Sequence, residues 1–148
     1  MIYTELTSKA AKLMFEKHRE QTDKSGLPYV FHPWHVAESM TNEYETCAAL
    51  LHDVLEDTDT TAEDLLKEGF PQEVVDALVL LKHDEGLSYD EYIKRMAGNP
   101  ICRAVKLSDL RHNADLTRLA AVTEKDLRRR EKYLKYIDFL TGKEDCGG

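Results

Sequence analysis

Ala48-Ala49-Leu50-Leu51-His52-Asp53-Val54-Leu55-Glu56-Asp57 is an apolar run that ends in a histidine and three carboxylates. A helix that only filled a core would end in neutral residues, whereas here charge abuts the run. At 3.6 residues per turn, His52 and Glu56 stack on one helical face, with Asp53 and Asp57 about 100° round. An unpaired buried carboxylate is very costly, so such a cluster has to be paired, protonated or bound to metal.

Outward from this stretch the punctuation is helical almost throughout. Leu6 to His18 reads as a first helix with Leu6, Ala10, Leu13 and Met14 on one side. Thr22 to Val30 carries Ser25-Gly26 and Pro28 and reads as a loop. Pro33 suits the first position of a second helix, running to about Thr41, with His32 as its N-cap. Thr46 opens a third helix, and Thr60 with Glu63 forms a capping box for a short helix ending at Gly69. Pro71 starts a helix through Val74, Val75, Leu78 and Leu81. Ser88 with Glu91 is a second capping box for a helix that stops at Gly98, and Asn99-Pro100 starts the helix carrying Val105 to Asp109. Thr123 to Leu140 is a long final helix with Leu127, Tyr133, Leu134, Ile137 and Phe139 as core candidates. No segment alternates with period two. The expected fold class is all-α, six to eight helices around one core, over residues 1–141, with 142–148 as a flexible tail.

The chain has 148 residues, enough for one domain with a sizeable core. No stretch approaches the ~18 uninterrupted apolar residues of a membrane span, and no secretory signal is seen at the N-terminus, so the expected location is cytoplasmic. Cys47, Cys102 and Cys146 lie far apart with no zinc-knuckle spacing, and the first two read as small core residues. A formal net charge of −8 disfavours polymeric nucleic acid as a partner, because non-specific affinity for it comes from Lys and Arg on phosphates. A small anion remains compatible if a metal and a few local cations receive it.

Three further features gather around His52-Asp53. His32 stands after the Gly- and Pro-containing loop, Asp109 ends the apolar run Ile101, Ala104, Val105, and Asn113 follows Asp109 by one helical turn. Two imidazoles and two carboxylates make a mixed nitrogen and oxygen shell that suits manganese, iron, zinc or magnesium better than calcium. Such a site can activate water at neutral pH, with a neighbouring carboxylate as general base.

The pattern His32…His52-Asp53…Asp109 resembles the metal-dependent HD phosphohydrolase superfamily, and in finer detail the hydrolase domain of the RelA/SpoT homologues, including the small alarmone hydrolases. The matching stretches are Lys24 to Pro33, Val36-Ala37, Ala49 to Thr61, and Val105 to Asp109 with His112-Asn113. The resemblance implies an HD-domain helical bundle with His32, His52, Asp53 and Asp109 as metal ligands, most often for Mn2+, with Fe2+, Zn2+ or Mg2+ as alternatives. It implies that Glu56 and Asp57 activate or orient the attacking water, and that Lys24, Ser25 and Asn113 lie along the nucleotide. The implied reaction removes pyrophosphate from the 3′ position of ppGpp or pppGpp, with a guanosine polyphosphate as substrate.

Two positions depart from the family. Asp23 stands where these hydrolases usually carry an arginine against the base, and Asp115 lies where the longer enzymes tend to be basic. A phosphohydrolase of another small nucleotide or phosphoester, and a non-catalytic nucleotide-binding module, are therefore the alternatives. His35, three residues after His32, is a competing ligand that reads better as a surface or supporting residue. His18, His83 and His112 read as structural. Lys125 to Lys132 reads as a solvated helix face, and Trp34 and the tyrosines as core or rim, Tyr29 being the best exception.

Overall fold

The computed structural model describes residues 1–142. Helices α1 (Glu5–His18), α2 (Phe31–Glu38), α3 (Glu43–Leu51), α4 (Val54–Asp57), α5 (Ala62–Lys67), α6 (Gln72–Leu81), α7 (Tyr89–Met96), α8 (Pro100–Asn113) and α9 (Glu124–Leu140) follow in chain order, with a 3-10 turn at Leu116–Arg118. The all-α expectation holds. α4 is one short turn, so the longer helices number eight among the described residues. The tail expected at 142–148, Gly142 apart, lies outside the described residues, as does Cys146.

α3 organises the bundle. Thr46 to Leu51 are all buried, as befits a short helix with no polar stripe to offer water. It packs against α1, α2, α6 and α8, and α8 packs in turn on α2, α6 and α9. The mutual contacts of α2, α3 and α8 make one junction, and it is there that His32, His52 and Asp109 meet. Cys47 and Cys102 are fully buried, as expected.

Several boundaries differ from the sequence reading. α2 begins at Phe31, so His32 lies inside its first turn rather than at its N-cap. The turn bonds Phe31 N–H to Pro28 O (3.2 Å) and His32 N–H to Tyr29 O (2.9 Å) start the helix early. Pro33 is tolerated there because first-turn N–H groups lack helical partners anyway. α3 starts at Glu43, capped by the Asn42 side chain on Glu45 N–H, not at Thr46. The capping box before α5 is Thr61 with Asp64, one residue later than Thr60 with Glu63. Ser88 does cap α7 through Glu91 N–H.

The amphipathic face of α9 differs from the expected one. Leu127 and Leu134 are 47% and 37% exposed, while Tyr136 (7%) and Leu140 (2%) enter the core. Tyr133, Ile137 and Phe139 pack partly buried against it. The helix packs on α8 and reaches α7 through Tyr136, whose ring meets Tyr89, while Leu127 and Leu134 are left toward solvent. Leu78→Ala on α6, where Leu78 is 1% exposed, should cost about 2–5 kcal/mol in urea unfolding. Leu127→Ala should stay within about 0.5 kcal/mol.

Candidate metal centre

The apolar run Ala48 to Leu51 and the acidic turn after it do not form one continuous helix. α3 stops at Leu51, His52 is its C-cap, and Asp53 (φ −104°, ψ 1°) starts α4. The stacking of His52 over Glu56 expected of a continuous helix is therefore replaced by a corner. Asp53 sits in the sparsely populated bridge region of backbone space, where many active-site residues are found.

His52 is buried, and its Nδ1 lies 2.7 Å from Ala49 O. A carbonyl only accepts, so Nδ1 carries the hydrogen and donates it. Nε2 then faces Asp53 Oδ2 at 3.2 Å and Asp109 Oδ1 at 3.7 Å, and it has no hydrogen-bond partner. A ring nitrogen can face two carboxylates only across a cation, either a proton or a metal ion. His32 adds its Nε2 at 2.8 Å from Asp109 Oδ1. One ligand atom from each of His32, His52 and Asp109 lies within 4.8 Å of the others, and all three residues are buried. One proton serves one such contact, whereas this converging mixed donor set fits a divalent ion. Asp53 stands beside the three, its Oδ2 accepting the Tyr29 hydroxyl hydrogen.

The supporting contacts reach further. His32 Nδ1 and His112 Nδ1 are 2.7 Å apart, so His112 is positioned to take that hydrogen and leave Nε2 of His32 as a lone pair. Burial, followed by the charge of Arg118, pushes His112 down to about 3. His35 stays outside the cluster, its ring stacked on His112 at 4.1 Å. Asp109 accepts from Asn113 Nδ2 (3.0 Å) on Oδ1 and from Lys106 Nζ (2.9 Å) on Oδ2.

Burial pushes Asp53 well above the usual carboxylate range, and the charges of Asp109 and Asp57 add to this. Burial pulls Asp109 the same way, but Lys106, His32 and His52 outweigh it and hold it well below that range. Two neighbouring carboxylates pulled apart in this manner leave net repulsion that a cation between them removes.

A cleft of about 450 Å3 opens above the cluster and is lined by all the predicted site residues except His52. Lys24 and Ser25 come from the loop before α2, where Gly26 takes φ +81° to close the turn. Glu56 and Asp57 come from α4, with Glu56 Oε1 accepting from His83 N–H at 2.8 Å. His52 lines a smaller chamber of about 110 Å3 behind, together with Asp53, Glu56 and Lys106. Lys106 is a site residue that the sequence reading does not single out. It is only 12% exposed at the side chain and lies 5.7 and 5.2 Å from the ring centres of Tyr89 and Tyr92. Its one legible signal is a lysine within an apolar run, three residues before Asp109. Arg118 is likewise given no site role by the sequence reading, and Arg129, part of the run read as a solvated face, also lines the cleft.

No protein-family model matches the chain. It is 37% identical over 119 residues to the guanosine-3′,5′-bis(diphosphate) 3′-pyrophosphohydrolase of Aquifex aeolicus, a match covering 72% of this chain but 17% of that protein. It is 36% identical over 124 residues to the Homo sapiens protein of the same activity name, covering 74% of this chain and 68% of the relative. The chain thus spans under a fifth of the bacterial relative. A solved structure described as a metazoan ortholog of SpoT that hydrolyzes ppGpp and plays a role in starvation responses superposes with TM-score 0.74 at 27% identity, covering 98% of this chain and 88% of that one. Among the described residues no helix is long and apolar enough to cross a membrane.

Adding a divalent ion at about 100 times its Kd to chelator-stripped protein should stabilise it by about 2.7 kcal/mol. Calorimetry should lose that gain in His52→Ala. Lys106→Met should cost about 3–5 kcal/mol in urea unfolding of the metal-free protein, because it leaves Asp109 as an uncompensated buried charge.

Proposed function

Because this chain belongs to the HD-domain hydrolase family of the RelA/SpoT homologues, we propose that it removes pyrophosphate from the 3′ position of a guanosine polyphosphate, with Mn2+ held by His32, His52, Asp53 and Asp109. The observation that carries the reading is the unpartnered Nε2 of His52 facing Asp53 and Asp109, two carboxylates that also line the cleft holding Glu56 and Asp57. When bound, the ion supplies Lewis acidity toward water and toward a phosphoryl oxygen.

The side chains supply the rest. Glu56, oriented by His83 N–H, and Asp57 are the carboxylates available to take a proton from the attacking water. Burial, followed by the charge of Glu56, raises Asp57, which moves it toward the range useful for a base. Lys24 and Ser25 line the cleft wall where an anionic nucleotide would lie. Attack of water on the 3′ diphosphate breaks its ester bond to the ribose and transfers a proton to the departing 3′ oxygen. The products are pyrophosphate and GDP or GTP.

A second reading, hydrolysis of another small nucleotide, is favoured by Asp23. Its Oδ1 accepts from Ser25 N–H (2.9 Å) and Leu27 N–H (3.0 Å), so the carboxylate shapes the loop instead of meeting a base as a guanidinium would. Metal-loaded protein incubated with ppGpp should release pyrophosphate and GDP, resolved by anion-exchange chromatography. Cleavage of another nucleotide in a panel, with ppGpp left intact, would transfer the assignment to the second reading. Glu56→Gln should lower kcat by roughly 100-fold or more with metal affinity retained. Undiminished function in that variant would mean a binding module without turnover.

A further inference from the structure

We infer that Arg118 is an anion-binding residue of this cleft, receiving a phosphate group of the nucleotide other than the one being cleaved. The inference rests on the nucleotide-hydrolase reading above and assigns that site a specificity residue.

Arg118 closes the 3-10 turn Leu116–Arg118 directly after α8, and it lines the cleft that Lys24, Glu56 and Asp109 also line. Its guanidinium is anchored. Nε donates to His112 O at 3.1 Å and Nη2 donates to Asn113 Oδ1 at 3.3 Å. A guanidinium has five N–H donors in a fixed fork. Two are spent on these anchors, and the others have no hydrogen-bond partner among the described residues.

It also has no direct ion-pair partner among the described residues, although its charge is felt by Asp115. Lys106 is paired with Asp109 and Arg129 with Asp126, the latter at 3.6 Å. No carboxylate lies within ion-pair distance of Arg118 among the described residues. Asp115, the acid nearest to it in sequence, turns its Oδ1 onto Thr117 N–H (3.0 Å) and Thr117 Oγ (2.6 Å).

An anchored guanidinium with spare donors and no counter-ion fits a phosphate group, whose oxygens match the fork. Asn113 cannot present as much. Its Nδ2 is given to Asp109 and its Oδ1 accepts from Arg118, so its amide acts as a link between the two. The loop carrying Lys24 docks on the same turn, with Ser25 Oγ donating to Arg118 O at 3.5 Å. Lys24 and Arg118 therefore come from adjoining segments of the wall. Asp23, whose Oδ1 bonds its own loop, leaves cationic recognition to this pair.

The test uses the full-length, Mn2+-loaded protein and titrates GDP into wild type, Arg118→Gln and Arg118→Lys by calorimetry at several NaCl concentrations. Arg118→Gln should lose about tenfold or more in GDP affinity, with a shallower salt dependence and an unchanged Mn2+ affinity. Arg118→Lys, which keeps the charge but not the fork, should fall between. The KM for ppGpp should rise in the same order. Absence of GDP binding to wild type, wild-type GDP affinity in Arg118→Gln, equal salt slopes, or an equal loss of Mn2+ affinity in both variants would each overturn the inference. The two readings fail separately. GDP binding through Arg118 without ppGpp cleavage sinks the proposed reaction alone, and ppGpp cleavage by Arg118→Gln at unchanged KM sinks this assignment alone.

Discussion

A ring nitrogen that faces two carboxylates inside a protein is an arrangement that cannot stand without positive charge between them. At the junction of α2, α3 and α8, Nε2 of His52 lies 3.2 Å from Asp53 and 3.7 Å from Asp109. The surrounding architecture serves to hold that confrontation in place. Ala49 O fixes the tautomer of His52, His112 meets the far nitrogen of His32, and Lys106 and Asn113 occupy oxygens of Asp109. In a low-dielectric setting each of these contacts is stronger than in water, and each group left without its partner would be correspondingly costly.

Geometry of this quality demands rigid supports, and the bundle provides them by burying the Thr46 to Leu51 end of α3. Leu50, Leu51, Cys47 and Ala49 are at most 1% exposed, so the corner at His52 is tied to the densest part of the core. The break between α3 and α4 then lets Asp53 point into the junction while Glu56 and Asp57 come to the cleft wall. An uninterrupted helix would have carried these groups round its axis and separated them.

The chain is acidic overall, yet local bonding occupies much of the negative charge beside the cleft. Asp23, Asp115 and Asp126 each bond backbone N–H groups of their own turns or caps, at about 2.9–3.0 Å. Asp109 is held by Lys106 and Asn113, and Asp53 accepts the Tyr29 hydroxyl hydrogen. The cleft lining thus joins the cations Lys24 and Arg118 with the carboxylates Glu56 and Asp57.

Much of this is legible in the residues alone. Apolar periodicity, caps such as Asn99 and Thr123, and Gly and Pro punctuation specify helices, because these signals act within a few residues of chain. The convergence of His32, His52 and Asp109 is legible too, since histidines and carboxylates placed directly after apolar runs are drawn into the interior, where their charge has to be matched. Boundaries slip where neighbouring cap candidates compete, as Thr60 and Thr61 do. The buried face of α9 is hidden because Leu127 and Leu134 look apolar whether or not a partner helix covers them. Only the tertiary structure decided that the central helix breaks at His52, that Lys106 is buried beside Asp109 against Tyr89 and Tyr92, and that Arg118 lines the cleft without a direct ion pair among the described residues. The pairs themselves can be close in sequence, as Lys106 and Asp109 are, but their burial depends on elements distant in sequence packing around them, and that leaves no periodic trace along the chain.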